Sequence, residues 1–228
     1  DWWQALQFEC SLIQVGSTSI NEHSNCNACH QSHTAPSGPY LLRRATISET
    51  CLTCHDGSHG RAANIAAELR KTYAHDTQSP VDASPPDSDH ATCTDCHDPH
   101  TMNSGGSAAP GVHANFGRID GVNASGSPIN IATFEYEVCY KCHADTATEQ
   151  PYVPRRIVQN NTRLEFDPGA ISFHPVTAAG RNSDVPSLMP EWTTASRMHC
   201  SDCHSSDTGT STSGAGPSAG WRSGRHTS

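Results

Sequence analysis

Five copies of one short motif constrain what this chain can become. Cysteine pairs separated by two residues recur at Cys26/Cys29, Cys51/Cys54, Cys93/Cys96, Cys139/Cys142 and Cys200/Cys203. Each second cysteine is followed at once by a histidine: His30, His55, His97, His143 and His204. Cys-x-x-Cys alone also suits zinc or a redox disulfide. With histidine next, it is the attachment signal for haem c: two thiols add to the vinyl groups of one porphyrin, and the following residue brings an imidazole to the iron. Histidine is 15 of 228 residues, so five in succession at that position by chance is about a one-in-a-million event. The motifs therefore predict five haem c groups, ten thioether cysteines and five proximal histidines.

Composition fits a chain cored by such groups. Hydrophobic residues make up 34% and aromatic residues 6%. A side-chain core this poor would not offset the entropy of ordering the chain. Porphyrins are large, flat and apolar, and each is bonded to the protein at three points. They replace a conventional core, as structural metals do in small domains.

Compartment and partners follow from the same chemistry. Haem is attached to reduced cysteine pairs outside the cytoplasmic membrane. The chain begins at Asp1 without a charged, then apolar, leader, which predicts a signal peptide already removed. No apolar run is long enough to span a bilayer. The formal charge of −9, to which haem propionates would add, argues against nucleic acid and anionic membrane surfaces as partners.

The chain repeats itself. His23-x-x-Cys26-x-x-Cys29-His30-x-x-His33 and His90-x-x-Cys93-x-x-Cys96-His97-x-x-His100 agree in every spacing. Each is followed by a motif with an acidic residue before it, Glu49-Thr50-Cys51 and Glu137-Val138-Cys139, and then by an aromatic residue near a histidine, Tyr73-Ala74-His75 and Phe173-His174. This predicts an apolar N-terminal segment at 1–20, two-haem modules at 21–85 and 86–180, and a single-haem half module at 181–228. The expected fold is mostly irregular coil with a few short α-helices and little or no β-sheet. Helix candidates are Ala62–Lys71, Glu49–His55 and Glu135–His143. The Gly-, Ser- and Pro-rich stretches 79–89, 102–111 and 207–220 read as loops draped on porphyrins.

The pattern resembles the bacterial and archaeal multihaem cytochromes with doubled Cys-x-x-Cys-His motifs. The resemblance rests on the five motifs, on Cys96-His97-Asp98-Pro99-His100, on Phe173-His174-Pro175-Val176 and on the Glu135–His143 stretch, and covers about residues 21–204. That group includes soluble periplasmic carriers and extracellular cytochromes that polymerise into conductive filaments. The resemblance implies electron transfer outside the cell membrane. Two departures stand out. The fifth motif continues Ser205-Ser206-Asp207, with aspartate where the paired motifs place a second histidine, and five is an odd count.

Each iron also needs a group on its other face. Ten histidines lie outside the motifs, whereas there are three methionines, so bis-histidine ligation is expected throughout. His33 and His100 lie three residues beyond His30 and His97, a tether too short to reach around their own porphyrin, so each is expected to bind a neighbouring haem. His75 and His174 have longer tethers, 20 residues past His55 and 31 past His143. His33, His75, His100 and His174 are the first candidates, with His226 for the fifth iron and His199 as its alternative. His23 and His90 repeat so regularly that either could replace one of these. His59 and His113 read as surface residues. Cys10 has no thioether partner and reads as a buried thiol or an intermolecular disulfide. Trp2 and Trp3 read as a cover for a haem edge or a subunit contact.

These expectations make the chain an electron-transfer protein rather than an enzyme. The leading reading is a head-to-tail homopolymer on the cell surface or outside the cell, conducting between redox proteins and extracellular acceptors. The runner-up is a monomeric periplasmic shuttle. A reductase of a small nitrogen or sulfur substrate would need an open iron.

Overall fold

The computed structural model describes residues 23, 25–36, 40–59, 62–71, 74–77, 91–103, 105–145, 159–186, 188 and 192–204. Cys10, Trp2, Trp3, Tyr73, His90, His226 and the stretches 79–89 and 207–220 lie outside them. Most described residues are coil, with short helices and one two-stranded sheet, as the sequence predicts. Among the described residues no helix is long and apolar enough to cross a membrane.

The chain divides into two compact units, residues 1–104 and 105–228. Three motifs fall in the first and two in the second. This partition follows spatial contacts, whereas the modules above follow the sequence repeat.

The described residues of the first unit form four helices: α1 (Cys26–Cys29), α2 (Ile47–His55), α3 (Ile65–Leu69) and α4 (Cys93–Cys96). α2 begins in a full capping box. Thr46 Oγ1 accepts the Glu49 N–H at 3.1 Å, and Glu49 Oε2 accepts the Thr46 N–H at 3.2 Å. α3 is shorter than the expected Ala62–Lys71, because Asn64 caps it by accepting the Ala67 N–H and Arg70 ends it. Among the described residues of this unit, Ala66 is the one fully buried hydrophobic side chain. Three Cys-x-x-Cys-His motifs are thus gathered around almost no side-chain core.

The second unit contains a strand pair, β1 (Gly121–Val122) and β2 (Pro128–Ile129), antiparallel with Gly121 opposite Ile129. It also contains α5 (Glu135–His143), α6 (Thr162–Glu165), and 3₁₀ turns at Ala114–Phe116 and Cys200–Asp202. β1 lies directly on α5. A Cβ at Gly121 would stand 2.8 Å from the Glu137 carbonyl oxygen, so glycine permits the approach. Tyr136, Tyr140, Ala144 and Val176 form a small core, flanked by Val122, Phe134, Phe166, Met198 and Cys200.

Candidate haem sites

All five motifs place their cysteines in helical or 3₁₀ turns. In such a turn residues i and i+3 share one face, so both sulfurs of a motif can meet a single porphyrin edge. The motifs fall into two kinds that match the sequence repeat. The first and third are one-turn helices whose histidines, His30 and His97, sit in extended backbone at the helix end. The second and fourth form the last turn of nine-residue helices, α2 and α5. The acidic residue shared by these two does the same work in each. Glu49 and Glu137 stand at the third helical position and accept N–H groups at the helix start, Glu137 Oε2 from Thr133 at 2.7 Å and from Phe134 at 2.9 Å.

Nine motif cysteines are reduced. Cys26 is disulfide-bonded and must be reduced before it can form a thioether. Sulfurs of different motifs meet in both units. In the first, the Cys51 and Cys93 thiols hydrogen-bond to each other. That bond pushes Cys51 up and, with a further hydrogen bond from Ser48, brings Cys93 down to about 6. In the second unit Cys139 and Cys200 pair in the same way, and the bond together with burial pushes Cys139 up.

In the second unit the two cysteines of each motif differ in exposure. Cys142 is exposed, as is Cys203, whereas their motif partners Cys139 and Cys200 are half-buried. Protein packs against the first cysteine of each motif, where Cys139 and Cys200 meet each other and Glu135. α5 ends at His143 and the 3₁₀ turn at Asp202, so Cys142 and Cys203 stand at the outer end of each turn, beside the exposed His143 and His204. In the first unit Cys29, Cys54 and Cys96 are half-buried.

The first unit holds two pairs of imidazoles at a distinctive spacing. His30 faces His100 with ring centroids 6.1 Å apart and planes within 8°. His23 faces His55 at 6.0 Å and 12°. A histidine nitrogen sits about 2.0–2.1 Å from a first-row metal such as zinc, and the ring centre roughly 1.1 Å further, so two imidazoles on opposite faces of one ion stand about 6.3 Å apart. Both proximal rings are also turned correctly. His30 Nδ1–H donates to the Tyr40 carbonyl at 2.9 Å, and His55 Nδ1–H to the Ala63 carbonyl at 3.0 Å. Each leaves a lone pair on Nε2, the usual arrangement behind a metal-bound histidine. Asp98 steadies the partner ring: it accepts the His100 N–H at 3.0 Å and lies 3.8 Å from His100 Nδ1. The residues present fit a six-coordinate iron at both places.

Other candidates stand differently. His33, His75 and His174 are exposed, as are the proximal His143 and His204. His59 is exposed too, as expected. His113 is not the surface residue its sequence context suggests: its side chain is 16% exposed and its Nε2 lies 3.5 Å from Glu135 Oε2. His199 is buried, its Nε2–H donating to the Gly111 carbonyl at 2.9 Å and its ring 4.4 Å from that of His113. That pair is too close to bracket an iron. Sequence reasoning kept His23 only as an alternative, on the strength of the repeat, and missed Glu135 altogether. The one available signal for Glu135 was its i, i+4 spacing from Cys139.

Buried polar atoms give a further sign of absent groups. The Tyr140 hydroxyl and the Trp192 Nε1 are buried without a hydrogen-bond partner. Such orphans are uncommon in native interiors, and both are donors that suit an anionic oxygen such as a porphyrin propionate.

Residues 19–60 match the family model described as the doubled CXXCH motif. No curated protein and no solved structure matches the chain. The matched stretch spans the first two motifs, both α1 and α2, and three of the four iron-spaced histidines. The match supports covalent attachment of haem c at these two motifs, as in a multihaem c-type cytochrome.

Proposed function

We propose that the chain binds five haem c groups, each iron held between two histidines, and conducts electrons between them. The observation that carries this reading is the pair of imidazole pairs, His30/His100 and His23/His55, each spaced for an iron. In this assignment the distal ligands interleave. His23 lies before the first motif and serves the second, while His100 follows the third motif and serves the first. The short tether from His97 to His100 explains why His100 faces another motif's histidine. When bound, haem supplies a one-electron carrier. The protein supplies two strong axial ligands, which lower the potential relative to methionine ligation and close the iron to substrates. Closure favours electron transfer over a reductase.

Spacing between haems is set by the sulfur contacts. Cys51 against Cys93, and Cys139 against Cys200, bring the attachment edges of the second and third haems together, and likewise those of the fourth and fifth. Cys142 and Cys203 are exposed, so each is accessible to a vinyl group of its haem.

We further propose that copies join head to tail outside the cell through His33. It occupies the repeat position of His100 and is exposed. A neighbouring copy's haem is its partner in this reading. A ligand given in trans at one end makes a heterologous contact, which generates open assemblies when the rotation does not close. Electron microscopy of the purified holoprotein tests this. Filaments are expected from the native chain, and monomers with one haem altered from His33→Ala. Unchanged filaments from the variant, with every haem still bis-histidine, would remove His33 as the bridge. The periplasmic shuttle would be supported by monomers at all concentrations.

A further inference from the structure

Glu135 is the most deeply buried acidic side chain among the described residues, at 2% exposure. It opens α5, the helix that ends in the fourth motif. Its carboxylate points at the fifth. Oε1 accepts the Ser201 N–H at 2.8 Å and Oε2 accepts the Ser201 hydroxyl at 2.8 Å. Ser201 lies between Cys200 and Cys203, so the carboxylate grips the attachment loop of one haem from the helix of another. A carboxylate oxygen of Glu135 and the sulfurs of Cys139 and Cys200 all lie within 4.8 Å of one another.

A metal ion held by His113, Glu135 and His199 would be the obvious alternative, but the hydrogen bonds argue against it. His113 Nδ1 accepts the Ser107 N–H at 3.1 Å, so in the neutral ring the proton sits on Nε2, the atom facing Glu135. A ligating histidine instead donates from its second nitrogen. Both Glu135 oxygens already accept hydrogen bonds, and His199 Nε2–H is given to Gly111. The group is a closed hydrogen-bonded cluster. The other charged group at its edge is Asp202, which accepts the His199 N–H at 2.8 Å.

We propose that Glu135 is a positioning and potential-setting residue shared by the fourth and fifth haems. The proposal rests on the haem c reading. Its two hydrogen bonds fix the fifth attachment loop against α5. Its negative charge, shielded from water and beside one thioether of each haem, favours the oxidised iron over the reduced one in both. Opposite charges interact far more strongly where water is excluded than at a surface.

The test uses the holoprotein and reads midpoint potentials by spectroelectrochemistry. Glu135→Gln should raise two of the five potentials and leave three in place. Glu135→Asp keeps the charge and should return both to near their native values. Ser201→Ala removes one hydrogen bond but no charge, and should shift both potentials much less than Glu135→Gln. Unchanged potentials in Glu135→Gln with five haems attached would overturn the proposal, as would an equal shift of all five. If Glu135→Gln loses the fourth or fifth haem while Glu135→Asp keeps both, the carboxylate grip is supported. Loss from both variants would contradict it, because a retained carboxylate would then not suffice. Native protein without covalent haem would instead defeat the underlying reading, and intact mass separates the two failures.

Discussion

At the scale of single residues, the account turns on which histidine meets which iron. His23→Ala should alter one haem, the one bonded at Cys51 and Cys54, turning it high-spin or open to exogenous ligands in the absorption and paramagnetic resonance spectra. His100→Met should alter a different single haem and raise its potential, since methionine ligation favours the reduced iron. Identical spectra from both variants, or native spectra from either, would contradict the pairing. The motif histidines were legible in the sequence because the haem c attachment signal fixes their place beside the cysteines. The unequal burial of Cys139 and Cys142 was not, because the motif records their spacing and says nothing of what packs on each. Distal ligands carry no such local mark. The placing of His100 beside another motif's histidine was foreshadowed by its short tether, while His23 was visible only as a repeat, because the 31 residues between it and His55 leave many possible paths. Glu135, His113 and His199 were hidden for the same reason: Gly111 and His199 are 88 positions apart, and nothing in either neighbourhood announces the other.

At the scale of elements, helix ends were easier to find than helix starts. α5 runs over Glu135–His143, the stretch expected from the sequence, and α2 begins at Ile47, two residues before the expected Glu49. The difference lies in the Thr46–Glu49 capping box, which recruits Ile47 and Ser48 into the first turn. Thr46→Ala should destabilise the holoprotein by about 1 kcal/mol, seen as a lower thermal midpoint. Gly121→Ala should be worse, at roughly 1–3 kcal/mol, because the new Cβ meets the α5 backbone rather than a side chain that could move. The thiol contact between α2 and α4 makes a pH-dependent prediction. Thiolate is the reactive form, so in a haem-free chain that kept this fold Cys93 would alkylate selectively down to pH about 6. An unfolded haem-free chain would show all motif cysteines reacting alike, fading as pH falls through about 8.5. Because haem is the core of the first unit in this account, the second behaviour is expected.

Across the whole molecule, the two units differ in what holds them. The first gathers three motifs around a single fully buried hydrophobic residue among those described, Ala66, whereas the second retains a cluster of Tyr136, Tyr140, Ala144 and Val176. Without haem, hydrogen-exchange protection should vanish throughout residues 1–104 and survive, weakly, around α5. Equal protection in haem-free and haem-bound chains would show that porphyrin is not the core. The broad class of fold was legible from composition alone, since a chain so poor in apolar residues has few regular ways to pack. The division at residue 104 was not, because it depends on contacts between motifs rather than on their order. Everything above depends on covalent haem, and intact mass under denaturing conditions measures that directly, since thioether-bound haem survives unfolding. The account predicts a single species heavier than the 24.4 kDa polypeptide by five haem c groups. A species at the polypeptide mass, with zinc released on denaturation, would contradict it.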